Sequence, residues 1–363
     1  FTDFYGGQYA PLAFLSYLVL YAGFGYDPFY FHMFSLLLHI GCVCLVWKLI
    51  SSLLRVHGGV SEKQILYVNF ITTLLFAVHP INVEAVAWIS ALKVLLYAFF
   101  YLLGLLCYLR YIRTSKIFYY VLTIGCFLCS FWGKEQAVTF PLALLIVDWF
   151  TNRNMKNLEV WSEKMSFLIM AFFFGIITVL SQGKGPYEMI FPLYQRLLFG
   201  CFALVEYITK SLLPVNLNFF YPFPIVLGEE PPLHYYLYPV VLLFLMGWII
   251  AYRNNRYLVF GVLLFLVNLL FSIHLFNMSR HAIVADRYMY LSYVGIAFLI
   301  ANGIWWLRKR LSYFKAALVF LFFYCFFLSV YTFHYTKKWE NTTMVKKYTK
   351  EVLEKRLNGS NHL

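Results

Sequence analysis

Charged residues are scarce in this chain of 363 residues. They make up 12% of it, and Asp and Glu together number only 16. An average soluble domain carries about 25% charged residues, so this scarcity excludes a water-soluble enzyme, and the high apolar content excludes a disordered chain. The 29 Lys and Arg residues lie in short clusters between apolar runs. That distribution excludes a nucleic-acid-binding module and is typical of a polytopic membrane protein.

Metal-ligand patterns are also lacking. All seven cysteines lie inside apolar stretches, and the single CxxC, formed by Cys126 and Cys129, has no second ligand pair. A zinc site is therefore disfavoured, and the cysteines are predicted to be small buried hydrophobic residues. We predict no dedicated metal site.

Long apolar runs are what the sequence has in abundance. A spanning helix needs about 20 apolar residues, and shorter runs serve where a helix packs inside a bundle. The runs predict an all-α polytopic membrane protein with about ten visible transmembrane helices. The ten predicted spans are residues 31–50, 65–78, 94–109, 117–131, 137–150, 166–181, 236–252, 258–272, 288–307 and 316–333.

The basic residues predict an orientation. Alternate connections hold 15 of them, against seven on the other side before the tail. Basic residues are enriched in cytoplasmic loops, so these 15 are predicted to anchor cytoplasmic helix ends. They are Lys48, Arg55, Lys63, Arg110, Arg113, Lys116, Arg153, Lys156, Lys164, Arg253, Arg256, Arg308, Lys309, Arg310 and Lys315.

One further apolar segment, residues 196–213, conflicts with this orientation if it spans the bilayer. It carries Arg196, Glu206 and Lys210. We predict a helix in the membrane interface, with Glu206 and Lys210 paired at i,i+4. The chain then divides into an extracytoplasmic loop with an interfacial helix (1–30), a transmembrane domain (31–334) and a polar extracytoplasmic tail (335–363). The helical spacing of Lys and Glu in the tail resembles the start of a helical repeat region.

Ionisable residues that orientation does not explain gather in three extracytoplasmic segments. Such groups at helix mouths are costly and are functional candidates by default. The segments HPINVEAVAWISALK, WGKEQAVTFP and NMSRHAIVADRYMYLSYVG supply His79, Glu84, Lys93, Lys134, Glu135, Arg280, Asp286, Arg287 and Tyr288.

These residues suit the transfer of a group from a lipid phosphate. Arg287 and Lys134, with Lys93, are predicted to bind a phosphate through charge-assisted hydrogen bonds. The predicted acids are Glu84, Asp286 and Glu135, which could activate an acceptor hydroxyl or hold a divalent cation. His79, Arg280 and Tyr288 are expected to line the site.

A purely structural interpretation stands beside the functional one. Asp286 and Arg287 could pair with Glu84 or Arg280 only to hold loops together. Lys134 and Glu135 could form a local pair at a helix end. The dipeptide His79-Pro80 reads first as a helix stop, because Pro interrupts the hydrogen-bond ladder.

Four ordered motifs carry a resemblance to a known family. They are HPINVEAVAWIS, KEQAVTFPLALLIVDW, YITKSLLPVNLNFFYPFP and ADRYMYLSYVG. Together they resemble the membrane domain of bacterial tetratricopeptide-repeat membrane proteins related to the transmembrane and tetratricopeptide-repeat O-mannosyltransferases (TMTC-like). The resemblance implies a GT-C glycosyltransferase fold. It also implies a polyprenyl- or dolichyl-phosphate sugar as donor, with transfer on the periplasmic or lumenal face.

The chain departs from the family pattern in two places. Family members continue the first motif as Glu-Arg-Lys-Asp, whereas this chain has Ala91, Leu92, Lys93 and Val94. The family's acidic pair, the expected site of the catalytic Asp, would precede Phe1, and Asp3 is not at that position.

The leading hypothesis is an integral membrane glycosyltransferase that moves a sugar from a polyprenyl-phosphate donor to a protein or glycan hydroxyl. It predicts membrane lipid, a lipid-linked sugar and a protein acceptor or partner subunits as partners, and no nucleic acid. The alternative is a catalytically inactive GT-C-fold subunit that acts as a scaffold in a larger complex. A transporter is disfavoured because the charges gather at one face rather than near the midplane. The predicted location is the bacterial inner membrane with a periplasmic site, or the endoplasmic reticulum membrane with a lumenal one.

Overall fold

The computed structural model describes residues 9–182, 191–274 and 282–360. The described part is built from α-helices joined by short 3₁₀ turns, and it contains no strand beyond an isolated bridge between Tyr221 and Val284. The helices are α1 (Pro11–Phe24), α2 (Pro28–His57), α3 (Glu62–Val78), α4 (Val83–Ala87), α5 (Leu92–Thr114), α6 (Ile117–Gly133), α7 (Phe140–Phe150), α8 (Leu158–Gln182), α9 (Leu193–Leu212), α10 (Leu237–Ala251), α11 (Arg256–Leu269), α12 (Met289–Trp306), α13 (Leu311–Thr336) and α14 (Thr342–Ser360).

The all-α polytopic class is confirmed, whereas the predicted number of about ten spans was only approximate. Each of the ten predicted stretches lies largely on a helix, but only six helices in the described ranges are long and apolar enough to cross a membrane. A seventh is obtained if α3 and the helical segment after it count as one bent span. Helix α7 has 11 residues, which extend about 16 Å and fall short of a bilayer core of about 30 Å. An apolar run thus predicts burial, and whether the helix also crosses the membrane depends on its length.

Two kinds of helix make up the bundle. Helices α5 and α12 form its centre, where α5 packs against α2 and α6, and α12 against α3 and α11. Helices α10 and α13 lie outside, with only 6% and 17% of their most apolar stretches buried. Because lipid tails are as apolar as these side chains, an exposed apolar helix is stable in a membrane.

Glycines bring α11 and α12 into backbone contact. A Cβ atom added at Gly295 would lie 2.5 Å from the Gly261 carbonyl oxygen and 2.7 Å from the Phe265 nitrogen. No side chain fits in that space. Small residues of this kind allow close helix packing in membranes, where burial of apolar surface contributes little to association.

The chain bends by 51° where α3 ends. His79 caps this end, and Pro80 begins the next turn, which leads directly into α4. Proline cannot continue the hydrogen-bond ladder of α3, so the helix stops here, as the sequence predicts. The bend turns the short helix α4 and its Glu84 back into the protein, where the Glu84 side chain is completely buried.

Helix α9 contains the pair predicted for segment 196–213. Lys210 Nζ lies 3.7 Å from Glu206 Oε1, which confirms that pairing. The helix packs against α10 and is not among the described helices that are long and apolar enough to cross a membrane. Lys210 is buried, however, and points toward the residues described next.

Candidate functional site

Most of the predicted site residues meet at one end of the bundle. Glu84 lies on α4, and Lys93 lies in the first turn of α5. Lys134 caps the end of α6, and Glu135 begins the 3₁₀ turn that follows it. A second 3₁₀ turn, Asp286–Tyr288, leads into α12. Helix starts and helix ends therefore converge from segments that are far apart in sequence.

Glu84 and Arg287 form a buried ion pair. Arg287 Nη1 donates to Glu84 Oε1 at 2.5 Å, and the Arg287 backbone N–H donates to Glu84 Oε2 at 2.7 Å. The carboxylate is fully buried, and the guanidinium side chain is 20% exposed. One carboxylate thus fixes both the backbone and the side chain of Arg287. The structure brings Arg287 together with Glu84, one of the partners that the structural interpretation predicts.

Asp286 is held by two residues that the site prediction missed, Tyr221 and Lys210. The Tyr221 hydroxyl donates to both carboxylate oxygens, at 2.9 and 3.0 Å. The same hydroxyl accepts from Lys210 Nζ at 2.5 Å and from the Asn218 backbone N–H at 2.6 Å. Lys210 Nζ lies 3.6 Å from Asp286. Burial and the Asp286 charge raise the pKa of Tyr221 well above its usual value, so the phenol keeps its proton.

Backbone pairing places Tyr221 beside Asp286. The Ile283 N–H donates to the Tyr221 carbonyl at 2.9 Å, and Tyr221 forms a β-bridge with Val284. The signal for these residues was present in the motif YITKSLLPVNLNFFYPFP, which contains both Lys210 and Tyr221. Their partner is 65 residues further along the chain, and local sequence patterns do not indicate such a pairing.

Two cations lie over the ring of Tyr288, and a third lies within electrostatic range of it. Lys134 Nζ lies 4.6 Å from the ring centroid, and Arg287 Cζ lies 5.2 Å from it. Lys93 lies within electrostatic range of Tyr288, Arg287 and Glu135. Arg287 also stacks over Trp88, with its Cζ 5.3 Å from that ring. We call Lys93, Lys134, Arg287 and Tyr288 the basic cluster.

The cations of this region are concentrated in the basic cluster. Glu84 pairs with Arg287, and Lys210 lies within ion-pair distance of both Glu206 and Asp286. Lys93 lies within electrostatic range of Glu135. Lys134 is 2% exposed, so its charge is largely withdrawn from water. Cations in such a place attract anions strongly, because solvent screens them little. Guanidinium and ammonium groups beside aromatic rings can bind a phosphate while the rings pack against its substituent.

Of the predicted lining residues, one does not join the basic cluster and one lies outside the described residues. His79 is buried at the end of α3, where its Nδ1 accepts from the Ile81 N–H at 3.2 Å and its ring packs 4.2 Å from that of Tyr293. Arg280 lies outside the described residues. Within the described ranges no group of three or more His, Cys, Asp or Glu side chains could hold a metal ion.

A separate ion network lies at the opposite end of α5. Lys164 Nζ lies 2.6 Å from Asp148 and 3.1 Å from Glu163, and all three are buried. Arg153 donates to both Glu163 oxygens, at 2.6 and 3.0 Å, and these hydrogen bonds raise its pKa. Tyr108 donates to Asp148 at 2.8 Å. The sequence predicts Arg153 and Lys164 only as anchors of helix ends, whereas here they form a neutral network inside the protein.

The two ends of α5 are well separated. Lys93 and Tyr108 are 15 residues apart, which is about 22 Å along a helix. The basic cluster and the ion network are therefore distinct groups of charges. The chain is an integral membrane protein, and one end of its helices carries the buried, basic and aromatic candidate site.

Comparison with curated proteins finds similarity to several named protein O-mannosyl-transferases. Protein O-mannosyl-transferase tmtc2 of Xenopus laevis is 29% identical over 200 residues, which are 50% of this chain and 22% of that protein. TMTC2 of Mus musculus is 32% identical over 160 residues, 42% of this chain and 18% of that protein. Tmtc3 of Drosophila melanogaster is 28% identical over 172 residues, with the same coverage of 42% and 18%.

These matches confirm the resemblance that the motifs indicate. The chain spans about a fifth of the length of the curated relatives it matches. No family model matches the chain, and no solved structure matches it. The likeness to GT-C enzymes therefore remains a prediction from sequence.

Proposed function

We propose that the chain acts in an integral membrane glycosyltransferase, which moves a sugar from a polyprenyl-phosphate donor to a protein hydroxyl on the extracytoplasmic face. The names of the relatives support sugar transfer to protein. The excess of basic residues in the opposite set of connections supports the face. Either a periplasmic or a lumenal site fits this proposal.

The observation that carries the proposal is the basic cluster. A polyprenyl-phosphate sugar enters from the bilayer and places its phosphate beside Lys93, Lys134 and Arg287. In the reaction, the acceptor oxygen forms a bond to the anomeric carbon while the bond from that carbon to the phosphate oxygen breaks. The electron pair leaves with the polyprenyl phosphate, and the three cations stabilise the charge that develops there.

The acceptor proton passes to a carboxylate. Glu135 is half-buried and lies within electrostatic range of Lys93, so it is the most accessible of the three candidate acids. Glu84 and Asp286 are fully buried and already engaged by cations, and their contribution is to hold Arg287 and Lys210 in place. A divalent cation is not needed for this scheme.

Transfer of radiolabelled mannose tests the proposal. The full chain is reconstituted in nanodiscs with polyprenyl-phosphate mannose and a peptide rich in Ser and Thr, and both donor binding and transfer are measured. We expect the unaltered chain to transfer mannose, and Lys134→Met or Arg287→Ala to lower the rate about 100-fold, because each removes a cation at the leaving group. Arg308→Ala is the matched control, since Arg308 also stacks on a Trp ring but follows the other end of α12. A chain that neither binds the donor nor transfers mannose would refute the proposal.

A scaffold function is the second candidate. Ala91, Leu92 and Val94 stand where the family has polar residues, and all three are at most 1% exposed. Apolar packing has replaced polar groups at these positions. Donor binding without transfer, unchanged when the acceptor peptide is varied, would favour this scaffold over the enzyme.

A further inference from the structure

The end of α13 and the start of α14 pack directly on the candidate site. A small hydrophobic cluster, separate from the main core, joins α4, the loop after α9 and these two helices. Its centre is aromatic. We call the following five residues the aromatic joint: Trp88, Phe219, Tyr335, Trp339 and Tyr348.

Ring contacts connect four of the five residues of the aromatic joint. Trp88 and Phe219 meet edge to face, with their centroids 5.1 Å apart. Trp339 contacts both, at 5.8 Å from Phe219 and 6.3 Å from Trp88. Tyr335 lies 6.3 Å from Trp339. Edge-to-face and tilted contacts at these separations are favourable beyond the area they bury, so the rings fix one another's positions.

Helix α14 is attached to the same place. The Tyr348 hydroxyl donates to the Leu217 carbonyl at 3.2 Å, which ties α14 to the loop that carries Phe219. Lys338 Nζ lies 3.6 Å from the centre of the Tyr348 ring. The segment after α13 is therefore held by specific contacts on the surface of the candidate site.

The aromatic joint ends at Arg287. The guanidinium carbon lies 5.3 Å from the centre of the Trp88 ring, and Glu84 holds the same guanidinium by its Nη1. Besides the ring of its neighbour Tyr288, Arg287 thus has two supports from another segment, a carboxylate from α4 and an indole from the residue that follows α4. The carboxylate neutralises the charge, whereas the indole sets the direction in which the planar guanidinium faces.

We propose that Trp88 and Trp339 are positioning residues, through which the segment after α13 sets the geometry of Arg287. When Trp339 is seated, Trp88 is held between it and Phe219, and its face is kept against the guanidinium. When Trp339 is removed, Trp88 keeps Phe219 but loses its other ring neighbour, and the indole holds the Arg287 guanidinium less firmly, whereas the contacts of Arg287 with Glu84 and Tyr288 remain. Whatever moves the start of α14 then changes the basic cluster.

Hydrogen exchange tests this inference without any ligand. The Arg287 backbone N–H donates to Glu84, so its exchange rate reports whether the Glu84–Arg287 unit stays closed. We expect Trp339→Ala to speed exchange in a peptide covering residues 283–290 about fivefold, the size expected from the loss of one ring contact. Trp339→Phe, which keeps a ring, should restore most of the protection. Trp306→Ala is the matched control, because Trp306 is 65% exposed and is the last residue of α12, at the end of the helix that lies away from Arg287.

Hydrogen exchange in the ion network around Lys164 is the internal control, because it distinguishes a local effect on Arg287 from a loss of stability throughout the protein. A peptide covering residues 158–166 should keep its exchange rate in every variant, and faster exchange in both peptides would overturn the inference. Unchanged exchange at 283–290 in Trp339→Ala would also overturn it. Trp88→Leu serves as a second variant with the same expected result, so the test does not depend on one substitution folding well.

Binding of polyprenyl phosphate in nanodiscs connects this inference to the proposed function, on which only this part rests. We expect Trp339→Ala to raise the Kd about fivefold and Trp339→Phe to restore it. If the unaltered chain binds no polyprenyl phosphate while exchange still responds to Trp339→Ala, the proposed function fails and the positioning role stands. If the chain binds normally and the variant changes neither quantity, the positioning role fails and the proposed function stands.

Discussion

Removing the charge of Glu84 should destabilise the protein strongly, because Arg287 would then be an unpaired cation. Glu84 is fully buried, and it binds Arg287 at 2.5 Å through the guanidinium and at 2.7 Å through the backbone. Breaking a buried pair from one side costs about 3–5 kcal/mol, since the remaining charge loses its compensation. Lys93 lies nearby and adds to the repulsion. We expect Glu84→Ala to lower the free energy of unfolding by this amount.

Glu84→Gln should cost less, because an amide oxygen can still accept from the Arg287 backbone N–H. Hydrogen bonds to charged groups contribute about 1.5–3 kcal/mol, so we expect a loss of this size. The matched control is Glu62→Gln. Glu62 pairs with Arg55 at 3.1 Å, but the two side chains are 76% and 56% exposed. An exposed pair contributes about 0–1 kcal/mol, and the control should stay within that range.

Reversible unfolding in mixed micelles titrated with SDS measures these differences. The decisive variant is the double substitution Glu84→Gln with Arg287→Gln, which removes both charges at once. We expect it to be more stable than the sum of the two single losses by at least about 1.5 kcal/mol, because neither charge is then left unpaired. Strictly additive losses would refute the view that Glu84 and Arg287 act as a pair.

Two further predictions concern the bundle away from the site. Lys164→Met should lower the free energy of unfolding, measured by the same SDS titration, by about 3–5 kcal/mol, because Lys164 is buried 2.6 Å from Asp148. Adding Asp148→Leu should recover part of this loss. A Lys164→Met variant as stable as the parent would contradict the network. Gly295→Ala should lower the free energy of unfolding by about 1–3 kcal/mol, because its Cβ would collide with the backbone of α11. Gly303→Ala on the same helix is the control, since a Cβ there meets nothing within 4 Å, and it should be neutral or slightly stabilising. Equal effects at both positions would contradict the close packing of α11 and α12.

The sequence predicted the helices better than it predicted which charged residues pair with each other. Apolar runs identified every predicted span as a helix, because hydropathy is a local property that adds up along a segment. Subtracting the basic residues that anchor helix ends left Glu84, Lys134 and Arg287 as candidates, and the structure gathers them at one end of the bundle. The number of spanning helices was predicted less well, because a short apolar helix can be buried inside a bundle without crossing the membrane.

Pairing was decided by the tertiary structure. The sequence predicts Lys210 only as a member of a helical i,i+4 pair with Glu206, yet the fold places it against Tyr221 and Asp286 as well. Lys164 reads as a helix anchor, yet it is buried beside Asp148. Each of these contacts joins segments that meet only when the helices pack, and no local pattern indicates which charges will then face each other.

By itself, then, the sequence determined that this chain lies in a membrane as a bundle of helices and which family it resembles. It also identified the few charged residues that membrane orientation does not explain. Those conclusions follow from composition and from spacing within single segments. Only the tertiary structure decided that Glu84 fixes Arg287, that Lys210 and Tyr221 fix Asp286, and that Trp339 reaches Trp88 at the edge of the site. In a low-dielectric interior, the energy of a charge depends on its distance to the nearest opposite charge, and that distance exists only once the chain has folded.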